Sequence, residues 1–257
     1  MTSLLVGICI DQGLIESIHT PIGEYFGSYL TDTDSEKSAI TVAHLLTMTS
    51  GIDWREFGEW QYWSPMEYSR DILGAALERP LSDEPGTRMN YNSGSTNLLS
   101  AIVQQASGMT MAEFAQKNLF GPLRIEKPRW QEKNGITLGA NGLHLKAPDL
   151  LKVGLLSLRD GAWNGRQIVS EQWIRESTQP RFLTYPEIGH YGYHWWSSTL
   201  RHDGAADAVP YSFAMGLFGQ FVVVVPALDL VAIVNVDHAD TLRPLGYLRE
   251  FLAELMR

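Results

Sequence analysis

A serine hydroxyl attacks a carbonyl only when a neighbouring base takes its proton, and on a helix that base lies one turn away. In this 257-residue chain no serine is followed three positions later by lysine, and none sits in a Gly-x-Ser-x-Gly turn. The single cysteine, Cys9, lies among Leu, Val and Ile, where burial makes a thiol inert. His190 and His194 alternate with aromatics as in a strand, which puts both on one face without a third ligand. No metal site is expected. His44 belongs to an amphipathic run and reads as a satisfied packing histidine. Asn141, in Gly139-Ala140-Asn141-Gly142, offers an amide to a substrate, although Asn in a Gly-rich loop usually serves the turn itself. Tyr91 follows the turn Glu84-Pro85-Gly86 and, taken alone, is an ordinary half-buried tyrosine.

The elements that position these groups change character along the chain. Residues 2–12 predict an apolar helix stopped at Gly13, and Tyr25-Phe26 a short one. Helices are also expected over 40–49, 65–77, 95–107, 111–119, 148–158 and 171–178. A hairpin turn is expected at Trp163-Asn164-Gly165. The later segments 191–196, 211–215, 220–225 and 230–236 are β-branched and aromatic and predict an antiparallel meander, which a helix over 241–256 closes. Helices first and strands afterwards make an α+β layout, read as one domain over residues 1–257.

Composition narrows the partners. Hydrophobic residues make up 44% and charged residues 19%, so the chain is globular. A net charge of −9 without any basic run argues against nucleic acid. No apolar run reaches the length of a membrane span, and one cysteine excludes an internal disulfide, which fits the cytosol without requiring it.

Three stretches carry a family resemblance. Ile40-Thr41-Val42-Ala43-His44-Leu45-Leu46-Thr47-Met48-Thr49-Ser50-Gly51 is similar to the I-T-V-x-H-L-L-T-x-T-S-G signature of β-lactamase and penicillin-recognising serine hydrolases. Glu84-Pro85-Gly86 through Tyr91-Asn92-Ser93-Gly94 resembles their P-G-x-x-x-x-Y element. Gly219-Gln220-Phe221 and Val225-Pro226-Ala227-Leu228-Asp229 match a strand–turn–strand near the family's C-terminus. Tyr191-Gly192-Tyr193-x-Trp195-Trp196 is most like the subgroup of 6-aminohexanoate-dimer hydrolases and esterases.

The resemblance implies a transpeptidase-like fold and an acyl-enzyme mechanism on a small ester or amide, with no cofactor. It makes Tyr91 the proton-passing residue of the second motif, and Ser93 the position where many relatives carry Asn. The third-motif strand here contains Tyr211-Ser212-Phe213-Ala214-Met215-Gly216, without Lys or His, so Ala214 and Gly216 are expected to supply backbone donors to an oxyanion. Asn141 is expected beside the cleft and Trp195 as an apolar wall. The family's nucleophile lies in S-x-x-K. Thr2 to Gly7 match the tail of that helix, a register that puts the Lys about two residues, and the Ser about five, before Met1. The chain is therefore expected to lack its first strands and nucleophile, and to leave the strand 230–236 with an unpaired edge through which it self-associates. The competing expectation is a non-catalytic binding module that keeps the cleft.

Overall fold

The computed structural model describes residues 1–31, 34–54, 56, 69–200, 208–238, 240 and 242–255. They form two compact units, Met1–His144 and Leu145–Arg257.

The first unit is mainly helical. Helix α1 (Thr2–Asp11) is buried from Thr2 to Cys9 on every side, as expected of a helix apolar all round. It packs against α3 (Ser93–Ser107), whose Leu98, Leu99, Ile102 and Val103 are buried. Between them in sequence lies the short α2 (Val42–Leu46). Gly13, past the end of α1, has φ +68°, and Gly108 ends α3 at φ +70°; both are positions a side chain strains.

Two expected helices prove shorter. The helix expected over 40–49 stops at Leu46, because Met48 takes φ 59° and the chain leaves in an extended path. There Ile52 bridges Leu81, and Gly51 O accepts from the N–H groups of Ser82 and Asp83. Of the helix expected over 65–77, residues 65–68 lie outside the described residues, and the remainder is helical only from Gly74 to Leu77. Asp71 explains the late start. Its Oδ1 accepts from the N–H groups of Leu73 and Gly74, 3.0 Å each, as a side chain at a helix entry does. The unit also holds two small ribbons absent from the sequence expectation, Arg129–Trp130 with Leu143–His144 and Glu132–Lys133 with Ile136–Thr137. Two-residue strands are too short for period-2 alternation to reveal.

The second unit is a six-stranded antiparallel sheet with helices. In chain order come α4 (Ala147–Leu158), α5 (Glu171–Thr178), β1 (Phe182–Leu183), β2 (His190–Tyr191), β3 (Trp196–Leu200), β4 (Val209–Gly216), β5 (Gln220–Val225), β6 (Leu230–Asn235) and α6 (Leu242–Leu255). The strands pair in sequence order, β1 to β6. This bears out the expected meander, with one correction. The segment 191–196 is not one strand: the chain turns between β2 and β3, with His194 at φ 57°. His190 and His194 therefore do not share a strand face.

Phe213 anchors the sheet, its ring 5.5 Å from Tyr211, 6.4 Å from Trp196 and 6.3 Å from Phe221. Helix α4 packs on β5 and β6. A Cβ on Gly154 of α4 would stand 2.4 Å from Val231 Cγ1, so glycine is what lets helix and sheet come this close. The Asn164-Gly165 turn forms as expected, with φ 48° and 76°, joining Ala162–Trp163 to Arg166–Gln167. Among the described residues no helix is long and apolar enough to cross a membrane.

Candidate active site

The segment Ile40–Gly51 does its work as a cradle for the turn that carries Tyr91. Thr41 caps α2: its Oγ1 accepts from His44 N–H, and His44 Nδ1 accepts in return from Thr41 N–H, both at 3.3 Å. The reciprocal pair is a capping box with histidine in the place usually held by Glu or Gln. After the Met48 kink, Thr49 O accepts from Gly86 N–H and Met48 O from Asn90 N–H, each at 2.8 Å. Asn92 N–H then reaches Met48 Sδ at 3.4 Å, and Ser95 Oγ approaches Ser50 Oγ at 3.3 Å. The residues before and after Tyr91 are thus pinned to one extended segment.

Asn92 is buried and starts α3, its Oδ1 accepting from Ser95 N–H at 3.0 Å. Its Nδ2 is buried without a hydrogen-bond partner.

Tyr91 is half-buried immediately before this cap. Burial pushes its phenol above the usual tyrosine range, and the negative charge of Glu56 pushes it further. Glu56 lies in the long aromatic stretch of the sequence, which draws attention to its tryptophans and hides a carboxylate. That carboxylate holds the Tyr91 turn: Oε2 accepts from Ser93 N–H at 2.7 Å and from Trp54 Nε1–H at 2.9 Å, and Oε1 accepts from Ser93 Oγ–H. Burial raises its affinity for a proton, and the bonds from Ser93 and Trp54 oppose that rise. Ser93 is itself buried, with hydroxyl and N–H both turned to Glu56.

The Gly139–Gly142 loop lies on the first turns of α3. Ala140 N–H donates to Asn97 Oδ1 at 3.3 Å, and a Cβ on Gly139 would meet Thr96 O at 2.4 Å. Trp130 Nε1–H braces the loop by donating to Leu138 O at 2.7 Å and Asn141 O at 3.2 Å. Asn141 is half-buried on it. The same loop receives the amino end of α1, where Thr2 Oγ1–H donates to Gly139 O at 3.0 Å. Ser3, next along, keeps a buried hydroxyl without a hydrogen-bond partner. The first unit therefore brings the start of α1, the loop bearing Asn141 and the start of α3 together. Cys9, deeper in α1, has its thiol pushed up to about 12 by burial, as an inert packing residue should.

The other expected site residues belong to the second unit. Ala214 and Gly216 sit near the end of β4, half-exposed. Pairing of β4 with β3 ends at Phe213↔Trp196, whereas pairing with β5 continues to Gly216↔Gln220. The stretch Ala214–Gly216 is thus past the end of its β3 ladder. Trp195 is buried in the turn before β3, and its carbonyl accepts from Gly192 N–H at 2.8 Å.

The chain is similar to 6-aminohexanoate-dimer hydrolase of Paenarthrobacter ureafaciens, 24% identical over 89% of this chain and 62% of that one. It is also similar to lovastatin esterase of Penicillium rubens, 28% identical over 49% of this chain and 36% of the other. It thus spans less than two thirds of the length of these curated relatives. Among solved structures, one from Bacillus anthracis, provisionally described as a 6-aminohexanoate-dimer hydrolase, superposes with a TM-score of 0.80 at 18% identity, covering 99% of this chain and 69% of that one. A class C β-lactamase from Rhodobacter sphaeroides gives 0.70 at 17% identity, with 99% and 82% covered; at such identities the likeness speaks for the fold. The Beta-lactamase family model matches residues 1–256, and the chain accordingly belongs to the Beta-lactamase family.

Proposed function

We propose that the chain is part of a serine hydrolase that cleaves esters or small amides through an acyl-enzyme, with Tyr91 as its proton-transfer residue. One observation carries this reading. Both α3, whose cap follows Tyr91, and the amino end of α1 are tied to the Gly139–Gly142 loop, through Asn97–Ala140 and Thr2–Gly139. In the reaction a serine attacks the substrate carbonyl, the ester or amide bond breaks as the leaving group takes a proton relayed by Tyr91, and water then releases the acid. Backbone N–H groups at Ala214–Gly216 serve the oxyanion, Asn141 takes a substrate amide, and Trp195 supports an apolar wall. Ser93 acts through the turn it holds, because its donors are already spent on Glu56. The names of the relatives, an esterase and an amide hydrolase, support the substrate class.

No Ser-x-x-Lys pair occurs in the 257 residues, and the attacking serine is assigned outside them. A fluorophosphonate or p-nitrophenyl butyrate is therefore expected to leave no covalent adduct and no initial burst. An adduct abolished by a substitution within residues 1–257 overturns that assignment. The same missing pair favours a second reading, a binding module without chemistry. The coding sequence ahead of Met1 separates the two: an in-frame Ser-x-x-Lys supports the hydrolase, a stop or frameshift the module.

A further inference from the structure

Glu56 has no role in the motifs that point to the family, yet three donors converge on its carboxylate from two directions. Two come from Ser93, the residue after the α3 cap, and the third is the indole of Trp54. The space around Ser93 and Gly94 is full. A Cβ on Gly94 would stand 2.9 Å from Ala76 Cβ and 3.0 Å from the Trp54 ring. Arg79 closes the cluster from the 74–77 helix side, its guanidinium 4.8 Å from the centre of the Trp54 ring. A carboxylate in such a place is costly unless its lone pairs are used, and here they are. Ordering a turn by side-chain bonds to a carboxylate is ordinary stability chemistry. A carboxylate that holds the residue two positions after a phenol that must handle protons is something more.

We propose that Glu56 is a positioning residue for Tyr91: it clamps Ser93 through two hydrogen bonds and so fixes the turn that presents the phenol. Tyr91 then enters the proposed acyl transfer as a proton donor, the charge of Glu56 adding to the burial that already favours the protonated phenol. The inference rests on the proton-transfer role proposed for Tyr91, but its test does not need turnover.

Glu56→Gln separates clamp from charge. The amide oxygen can take the bonds from Ser93 N–H and Trp54 Nε1–H, while the amide NH2 donates to Ser93 Oγ, which reverses its role. Glu56→Ala removes clamp and charge together. With tyrosines 13C-labelled at Cζ, the Tyr91 resonance is identified as the one missing from Tyr91→Phe and followed as pH rises. Glu56→Gln is expected to keep the urea midpoint of the parent chain while moving the Tyr91 titration to lower pH. Glu56→Ala is expected to lower the urea midpoint as well. An unchanged Tyr91 titration in a folded Glu56→Gln chain overturns the charge role, and an unchanged urea midpoint in Glu56→Ala overturns the clamp. Absence of hydrolysis by a longer protein that carries an in-frame Ser-x-x-Lys ahead of Met1 would sink the proposed function and leave both measurements standing.

Discussion

At the scale of single residues, His44 shows how a motif can be structural in a place that invites a catalytic reading. Its Nδ1 accepts the Thr41 N–H only while that nitrogen is unprotonated. Burial lowers its affinity for protons below the ordinary value of 6.5, and the nearby His19 lowers it further. The folded state thus prefers neutral His44 more than the unfolded chain does. Its contribution is fully present above the unfolded value and is lost as pH falls through 6.5 toward the depressed folded value. Urea midpoints are therefore expected to fall between pH 7 and pH 5.5 in the parent chain. In His44→Gln, which keeps a side chain able to close the capping box, the fall should be smaller. Equal slopes for the two chains would show that another group titrates. The neutral role of His44 could be weighed from the sequence, whose amphipathic spacing makes it a packed histidine. Its partner could not, because a reciprocal cap is a matter of backbone geometry.

At the scale of elements, the decisive piece is the extended segment that leaves α2, and here pattern reading goes astray for a physical reason. The residues Thr47-Met48-Thr49 continue the apolar spacing of a helix, but Gly51 is needed in a left-handed conformation, φ +75°, against the chain at Asp83. Tertiary hydrogen bonds to Ser82, Asp83, Gly86 and Asn90 override the local tendency. Glu56 escapes notice for a related reason: nothing in an aromatic-rich stretch marks which polar residue will find buried donors. Tyr91, by contrast, is singled out as a candidate by its motif, and β5, with a continuous run of valines from Val222 to Val225, forms as read from the sequence. The cradle makes a sharp forecast. A Cβ at position 51 would stand 2.2 Å from Asp83 O, and backbone cannot yield as a side-chain tip does. Gly51→Ala is expected to destabilise the fold by roughly 2–4 kcal/mol, combining backbone strain with overpacking. Urea denaturation measures it, and a loss under about 0.5 kcal/mol, the size of an ordinary surface change, would mean that the segment is not the rigid support inferred here.

At the scale of the molecule, the meander ends in a strand with one neighbour. Strand β6 pairs with β5 alone among the described residues, which leaves the backbone groups of its other side without a ladder. Its residues Leu230 to Val234 are only half-covered, although all are apolar. The end of β6 continues into a mainly apolar groove of about 360 Å³, where Val234, Val236, Pro244, Tyr247, Leu248 and Phe251 are joined by Asp237 and His238. Tyr247 and Phe251, 58% and 52% exposed, are one turn apart on α6, so edge and helix present a joined apolar surface. An open edge of this composition templates pairing with another strand, because each added strand satisfies backbone groups and covers side chains at once. Two copies joined edge to edge in antiparallel fashion would satisfy both by one two-fold contact. The 257-residue chain is accordingly expected to self-associate with rising concentration in light scattering coupled to size exclusion. Val234→Lys, which puts a charge into the groove beside the edge, should shift the population toward monomer without lowering the free energy of unfolding, from urea denaturation, by more than about 1 kcal/mol, since the position is half-exposed. A parent chain that stays monomeric at high concentration would mean that the edge is protected by other means, and the charge on β6 would then change nothing in the size measured.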